Sequence, residues 1–412
     1  MAKLHPFRAL RPMPDQAAAV AAVPYDVVNT AEARALADDN PLSFLRVSRP
    51  EIELPDGTDQ YADAVYGRAV RNFARLRADA PLVEEGAPSI YVYRLRMGDH
   101  QQTGVAACFS VDEYEHDVIR KHERTRKDKE DDRTRHIIDL RAQTGPVFLT
   151  YPASAAVDQA VARTVADPPL FDFNAVDGVG HTVWRVTDEV SGALVAAFAR
   201  IPLLYIADGH HRAASAMRAR QALREETGAD VAMEADTFLA VAFPGDQTQL
   251  LPYHRVVKDL AGHTPTSLLE ALEERVGVTP GTDTPGGPGE VAMYLAGRWY
   301  ALQLAPAAPD ALAADRLDVS LLHDQVLGPL LGVGDERTDK RIDFIGGIRG
   351  PGALTARVDE GAAAVAFAMH PVSVEDLMRI ADSGGIMPPK STWFEPKLRD
   401  GLLTHLIQEQ HP

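Results

Sequence analysis

The sequence has almost no cysteine and no long hydrophobic run. Its one cysteine, Cys108, excludes an internal disulfide framework and a cysteine-based zinc cluster, and its apolar surroundings are typical of a core residue. No run of about 18 apolar residues is present, so we expect no membrane-spanning helix. The first residues lack a hydrophobic signal region, and we therefore expect a cytoplasmic protein.

Positive charge is also scarce relative to negative charge. The 412 residues carry 42 Lys and Arg against 59 Asp and Glu, which gives a formal charge of −17. Duplex DNA and anionic membranes are bound through a net basic face, so neither nucleic acid nor a membrane is expected as a partner. A local basic pocket remains compatible with this charge. The sequence leaves open whether the chain forms a homo-oligomer.

The pattern of apolar residues predicts an α+β fold with mixed sheets, because helices and strands do not alternate strictly. Buried strands are predicted at 147–151, 203–207 and 237–243, and an amphipathic helix is predicted at 402–407. The Gly- and Pro-rich segment 278–289 is predicted to be a loop or linker. We therefore divide the chain into an N-terminal α/β lobe (1–115), a central core (116–277) and a C-terminal α+β lobe (290–412) whose last loop is expected to return to the core.

The clearest chemical signal is the sequence Asp208-Gly-His-His-Arg212, which joins an apolar strand to a run of strong helix formers. Free backbone N–H groups and the helix dipole make such a turn an anion site. Gly209 lets the backbone approach a phosphate, Arg212 offers a planar fork of donors, and His210 and His211 can donate further bonds. The alternative is an ordinary helix capped by Asp208, with both imidazoles in solvent.

A second signal is the basic segment 119–135, which holds eight Lys and Arg and five Asp and Glu. The i,i+4 pairs Glu123/Lys127 and Lys129/Arg133 would align cations toward an anionic substrate. The alternative is a solvated helix face. His122 and Glu123 are not followed by the second histidine of a zinc-protease motif, which excludes that interpretation.

A third signal is the proline-rigidified loop 387–397. Its Lys390, Ser391, Thr392 and Lys397 could bind phosphoryl oxygens, or the loop could be a packing arm.

Two shorter motifs add a carboxylate and another basic pair. Asp26 follows a proline-stiffened turn and could be a base, a metal ligand or a turn cap. His254 and Arg255 follow a predicted strand and could reinforce a cationic pocket. The sequence contains neither a P-loop motif nor a Gly-x-Gly-x-x-Gly motif after a strand, which disfavours the standard nucleotide-binding folds.

These motifs, taken in order, resemble those of the bacterial domain-of-unknown-function family DUF1015. The resemblance rests on Pro-Tyr-Asp26, Lys121-His-Glu-x-Thr125 with the following Lys-Glu-x-Asp-Arg133, Ile-Ala-Asp-Gly-His-His-Arg212, Pro-x-His-Arg255 and Lys390-Ser-Thr-x-Phe-x-Pro-Lys397. The turn 208–212 also resembles the phosphate-binding turn of the ParB/sulfiredoxin-like superfamily. Its members include free serine kinases, sulfiredoxins that use ATP and ParB proteins that bind CTP.

The resemblance implies a ParB/sulfiredoxin-like strand–turn–helix core with additional α/β lobes. It also implies a small-molecule kinase that converts free L-serine to O-phosphoserine, with pyrophosphate or a nucleotide as donor and Mg²⁺ bridging the donor's oxygens. The implied catalytic residues are Glu123, Asp26 and His122. We favour Glu123 as the base, because its flanking cations would keep it ionised. The implied donor-binding residues are Lys121, Thr125, Lys129, Arg133, Asp208, Gly209, His210, His211, Arg212, His254, Arg255, Lys390, Ser391, Thr392 and Lys397.

Two other functions remain open at this point. A ParB-like sensor or switch would bind a nucleotide without transferring phosphate, and a hydrolase would release inorganic phosphate with no acceptor. The acidic charge and the lack of a basic recognition helix weigh against a DNA-binding switch.

Overall fold

A computed structural model describes residues 1–79, 82–228 and 233–407. The chain divides into two compact units. The first unit contains Met1–Thr248 together with the described residues from Pro396 onward, and the second contains Gln249–Glu395.

The strands of both units are numbered here in chain order. They are β1 (Leu4–His5), β2 (Ala9–Arg11), β3 (Val83–Glu84), β4 (Tyr91–Met97), β5 (His100–Ser110), β6 (Ile119–Arg120), β7 (Ala142–Gln143), β8 (Val147–Tyr151), β9 (Phe171–Asn174), β10 (Gly180–Arg185), β11 (Leu204–Asp208), β12 (Thr237–Pro244), β13 (Gln249–Leu251), β14 (Tyr253–Val257), β15 (Gly277–Pro280), β16 (Glu290–Leu295), β17 (Arg298–Gln303), β18 (Ile342–Gly346), β19 (Val365–Ala368), β20 (Trp393–Glu395) and β21 (Thr404–Leu406).

The α-helices are numbered in the same way. They are α1 (Ala17–Val20), α2 (Thr30–Ala37), α3 (Leu45–Ser48), α4 (Asp63–Asp79), α5 (Val111–Glu115), α6 (Lys127–Leu140), α7 (Ala155–Thr164), α8 (Asp188–Phe198), α9 (His210–Thr227), α10 (Pro265–Glu273), α11 (Asp318–Leu322), α12 (Gly352–Asp359) and α13 (Val374–Asp382). In the described residues no helix combines the length and the apolar character needed to span a bilayer.

The first unit is built on a nine-stranded sheet with the order β6-β11-β8-β12-β5-β4-β10-β9, and β1 also pairs with β5. The sheet is mixed, because β12 runs parallel to β8 but antiparallel to β5. Its central strands are apolar on both faces, and the helices α7, α8 and α9 contribute residues to the same core. The predicted α+β class with mixed sheets is confirmed.

The two units do not coincide with the three predicted lobes. Strand β5 ends before the predicted boundary at 115, yet it pairs with β12 over six residues, from Thr237↔Ser110 to Ala242↔Val105. Backbone hydrogen bonds of one sheet therefore join the segments that we assigned to separate lobes.

The C-terminal segment returns to the first unit as a strand. The predicted helix at 402–407 is wrong, because Thr404–Leu406 forms β21, which pairs with β2 and β7. All six side chains from Leu402 to Ile407 are buried, so the segment lacks the polar face that a surface helix presents to solvent.

The second unit contains a six-stranded sheet with the order β15-β17-β16-β19-β14-β18. The first three residues of the Gly- and Pro-rich segment 278–289 belong to β15, and the rest lies between β15 and β16, which both pair with β17. The loop prediction is therefore wrong at 278–280 and right for 281–289, which joins two strands of one sheet.

Candidate functional site

The turn between β11 and α9 has the predicted order of strand, glycine and helix. Strand β11 ends at Asp208, and α9 begins at His210. Gly209 has φ +93°, a left-handed conformation that glycine adopts without steric cost. A Cβ atom at this position would lie 3.3 Å from the guanidinium carbon of Arg212 and 3.4 Å from Cα of Val147. The glycine therefore allows Arg212 to fold back against the turn.

Arg212 is a buried cation with unused donors. Its side chain is 9% exposed, and Nη1 donates to the carbonyl of Pro146. Within the described residues, Nε and Nη2 make no hydrogen bond. Burial lowers the pKa of Arg212, but nearby Asp26, Asp208 and Asp400 outweigh it and raise the pKa above its ordinary value. Buried donors without a partner are costly, and a ligand anion would satisfy them.

Asp208 joins the turn to the C-terminal segment. Its Oδ1 accepts from the backbone N–H of Gly209 at 2.9 Å, and its Oδ2 lies 3.2 Å from Nζ of Lys397. Burial would raise the pKa of Asp208, but the cations of Lys397 and Arg212 hold it well below its ordinary value. The carboxylate is therefore ionised and fixes the ammonium of Lys397 beside the turn.

Asp26 lies on the other side of Arg212. Its Oδ2 is 3.7 Å from Nη2 of Arg212, and its side chain is about one third exposed. The loop that carries it is held by Arg49, whose Nη1 donates to the carbonyl of Tyr25. Arg133 stacks over the ring of Tyr25, with 4.2 Å from its guanidinium carbon to the ring centroid. Asp26, Arg133 and Arg212 are therefore brought together in the first unit.

Asp400 is a site residue that the sequence analysis missed. It is buried, and burial raises its pKa to about 7 although Arg212 acts in the opposite direction. A Cβ atom on Gly145 would lie 2.8 Å from Oδ1 of Asp400, so the glycine makes room for this carboxyl group. Asp400 follows Lys397 by three residues, and a wider view of the polar loop 387–397 would have included it.

A pocket with about 450 Å³ of empty volume, part of it open to solvent, borders Arg212 and Asp400. Its lining contains positively charged, negatively charged and apolar side chains. It is lined by Tyr25, Arg133, His136, Ile137, Gln143, Thr144, Gly145, Val147, Arg212, Ala216, Phe238, Leu239 and Asp400.

His122, Glu123 and His210 form a second group beside the turn. The imidazole centroids of His122 and His210 are 4.5 Å apart, and both rings are almost fully buried. Nδ1 of His210 lies 3.8 Å from Oε2 of Glu123, and Nε2 of His210 accepts from the backbone N–H of His122 at 3.4 Å. In the described part of the chain neither ring nitrogen of His122 makes a hydrogen bond of acceptable geometry.

Four other predicted residues of the first unit are bound to protein groups. Lys121 donates to the carbonyl of Tyr114 and pairs with Asp117. Thr125 donates to Glu130, and Lys129 donates to the hydroxyl of Tyr61. His211 accepts from the backbone N–H of Arg126. Their roles in donor binding stay predictions.

The other five predicted residues belong to the second unit, where they make contacts of their own. His254 accepts from the N–H of Met369, buried Arg255 donates to the carbonyls of Tyr253 and Pro389, Lys390 lies over the ring of Tyr253, Ser391 donates to the carbonyl of Pro388, and Thr392 is half-buried. Burial, together with neighbouring Arg255, lowers the pKa of His254 to about 4. Their part in donor binding also stays a prediction.

The fold and the turn define an α+β protein with a buried cationic site at the start of a helix. The family described as "Protein of unknown function (DUF1015)" matches residues 4–320, so the chain belongs to that family. Among the curated proteins, the search found no match.

Several solved structures share a distant likeness with this chain. A free serine kinase in complex with AMP is 12% identical with a TM-score of 0.34, and the match covers 73% of this chain and 91% of that one. A conserved hypothetical protein from Pyrococcus furiosus is 14% identical with a TM-score of 0.32, over 74% and 95% of the two chains. SbnI with a C-terminal truncation, from Staphylococcus aureus, is 11% identical with a TM-score of 0.33, over 74% and 90%. We draw no functional conclusion from likenesses at this level.

Proposed function

We propose that this protein is a small-molecule kinase that transfers a phosphoryl group to a hydroxyl group, with free L-serine as the acceptor. The observation that carries the proposal is the buried guanidinium of Arg212, which has two donors without a hydrogen-bond partner in the described residues. It lies at the first turn of α9, where free backbone N–H groups and the helix dipole also favour an anion. Phosphoryl transfer needs mainly such positioning and charge neutralisation.

The donor would be bound at the turn 208–212. Arg212 would bind phosphoryl oxygens through its unused donors, and the N–H groups at the start of α9 would add further bonds. Lys397 is held beside the turn by Asp208 and would contribute a second positive charge. A compact anion such as pyrophosphate fits these contacts, because none of them requires a nucleoside.

The acceptor would lie in the adjoining pocket. An amino acid carries both a carboxylate and an ammonium group, and the pocket offers Arg133 for the first and Asp400 for the second. Burial raises the pKa of Asp400 in the protein alone, and a bound ammonium group would lower it and favour the carboxylate. A pocket with a few charged groups among apolar walls is typical of small-molecule sites. This arrangement supports a zwitterionic acceptor such as serine.

We propose Asp26 as the residue that accepts the proton of the attacking hydroxyl. Both carboxylate oxygens of Asp208 already contact donors of the protein, and Asp400 is buried, so both are less accessible to a hydroxyl group than Asp26. Asp26 is in contact with Arg212 and remains partly open to solvent. Glu123, the base favoured from the sequence, lies instead beside His210, with 3.8 Å between Oε2 and Nδ1.

We propose that the phosphoryl donor binds together with Mg²⁺. The group of three metal-ligating side chains found in the described residues contains two imidazoles, whereas Mg²⁺ prefers oxygen ligands. The donor's phosphoryl oxygens would supply oxygen ligands. Mg²⁺ would neutralise charge on the transferred group.

The proposal is tested by ³¹P NMR of reactions containing L-serine, Mg²⁺ and pyrophosphate, ADP or ATP. The wild-type protein is expected to form O-phosphoserine from at least one donor, whereas Arg212→Gln is expected to lose this activity. Arg218→Gln is the matched control, because Arg218 lies on the same helix and pairs with Glu130 and Asp131. Donor that is hydrolysed without phosphoserine, or bound without being consumed, would instead favour the hydrolase or the sensor.

A further inference from the structure

The cluster of His122, Glu123 and His210 has a chemistry that phosphate binding does not require. One ligand atom from each side chain can be chosen so that all three lie within 4.8 Å of one another. Three ligands of a tetrahedral ion are about 3.4 Å apart when each lies about 2.1 Å from the metal. Small rotations of the side chains would therefore close the cluster around an ion.

We propose that His122, Glu123 and His210 form a binding site for a divalent transition-metal ion of the Zn²⁺ class. Two imidazole nitrogens and one carboxylate oxygen are a typical ligand set for Zn²⁺, and three protein ligands leave one position for water or a substrate oxygen. Mg²⁺ is a poor match, because it favours oxygen ligands in octahedral geometry.

The burial of the imidazoles supports this assignment. His122 is 1% exposed and His210 is 4% exposed. The backbone of Ile206 lies close to the ring of His122, but in the described residues neither ring nitrogen makes a hydrogen bond of acceptable geometry. Buried polar atoms are normally satisfied, and a bound metal would satisfy one of these nitrogens. Glu123 is more than half exposed and forms the solvent side of the cluster.

The histidine missing from a local zinc motif comes from a distant part of the chain. His210 follows His122 by 88 residues and is placed by the turn between β11 and α9. The sequence test for a second histidine within the same helix could not find it.

The site has a consequence that rests on the proposed kinase function. Glu123 bound to a metal would not accept the proton of the attacking hydroxyl, which leaves that role to Asp26. Metal binding itself is independent of this step, because it requires neither donor nor acceptor.

Metal binding is measured on the full chain without substrates. The protein is stripped with a chelator, equilibrated with Zn²⁺ and analysed for bound metal by mass spectrometry, and competition with a chromophoric chelator gives the dissociation constant. The wild-type protein is expected to bind one equivalent. Glu123→Gln and His210→Asn are expected to bind at least about tenfold more weakly, because each removes one of the three ligands.

Two control variants and one competitor make the result decisive. His116→Asn and Glu189→Gln replace exposed residues of the same types and should bind like the wild type. Excess Mg²⁺ should not displace the Zn²⁺. No bound equivalent in the wild type, unchanged binding by Glu123→Gln, or displacement by Mg²⁺ would each overturn the proposal. Because Glu123 is exposed, its variant remains informative if His210→Asn fails to fold.

The same measurement separates this proposal from the kinase proposal. A protein that binds Zn²⁺ at these residues but forms no phosphoserine would retain the metal site and lose the proposed function. A protein that forms phosphoserine but binds no Zn²⁺ would retain the proposed kinase function and lose the metal site.

Discussion

The ammonium group of Lys397 lies 3.2 Å from Oδ2 of Asp208, although 189 residues separate the two positions. This contact connects the C-terminal segment with the turn that precedes α9. Asp400, three residues further along, extends the same connection, because its backbone pairs with Ala22, close to the loop of Asp26. The candidate site is thus assembled from the beginning, the middle and the end of the chain.

Replacing Lys397 by Met should destabilise the protein by about 2 kcal/mol at pH 7, because a largely buried carboxylate loses an ionic partner. The pKa of Asp208 is lowered in the folded state, so this contribution is fully present above the unfolded-state pKa, about 4, and is lost as pH falls through the lower folded-state pKa. Urea unfolding at pH 7 and at a series of pH values down to about pH 2 measures the difference. Lys127→Met, at an exposed position, is the control and should change stability by less than about 0.5 kcal/mol. A cost that does not shrink in acid would contradict this account of the pair.

Asp400→Asn should remove a pH dependence of stability that is opposite in sign to that of the Asp208–Lys397 pair. Burial raises the pKa of Asp400 to about 7, so the folded protein keeps a proton between pH 4 and 7 that the unfolded chain releases. Stability of the wild type should therefore fall across this window relative to the variant, by up to about 4 kcal/mol. Urea midpoints between pH 4.5 and 7.5 test this. A constant difference between the two proteins would show that Asp400 titrates normally.

Gly209→Ala should cost about 1–2 kcal/mol of stability, because alanine is strained at φ +93°. It should also weaken pyrophosphate binding, since the new Cβ, 3.3 Å from the guanidinium carbon of Arg212, would displace that group. Gly228→Ala is a matched control at the other end of α9, with φ +65° and no atom within 4 Å of the added Cβ. Melting temperature and calorimetric titration separate the two effects. Equal loss of binding in both variants would mean that the glycine acts only through stability.

The thiol of Cys108 should not react in the native state. It is buried in β5, and burial raises its pKa well above the ordinary value, so almost no thiolate forms at neutral pH. A thiol reagent such as dithiobis-nitrobenzoate should label the protein only after unfolding in guanidinium. Rapid labelling of the folded protein would contradict the assignment of Cys108 to the core.

The turn 208–212 could be predicted from the sequence because its information is local: a strand, a glycine and a helix follow one another within a few residues. The motifs also indicate Asp26 and Lys397 as site residues, but their contacts with Arg212 and Asp208 depend on long-range folding and could not be predicted. Asp400 lies outside the motifs and was missed for the same reason. The wrong prediction of a helix at 402–407 also results from long-range contacts that the sequence does not show. The strand β21 is fixed by its pairing with β2 and β7, which lie hundreds of residues earlier.

The central claim is that Arg212 binds the phosphoryl group, and calorimetric titration of pyrophosphate tests it most directly. The wild type and Arg218→Gln are expected to bind alike. Arg212→Gln is expected to bind about 100-fold more weakly, because two charge-assisted hydrogen bonds are lost. Equal affinity of Arg212→Gln and the wild type, in variants of equal thermal stability, would contradict the account.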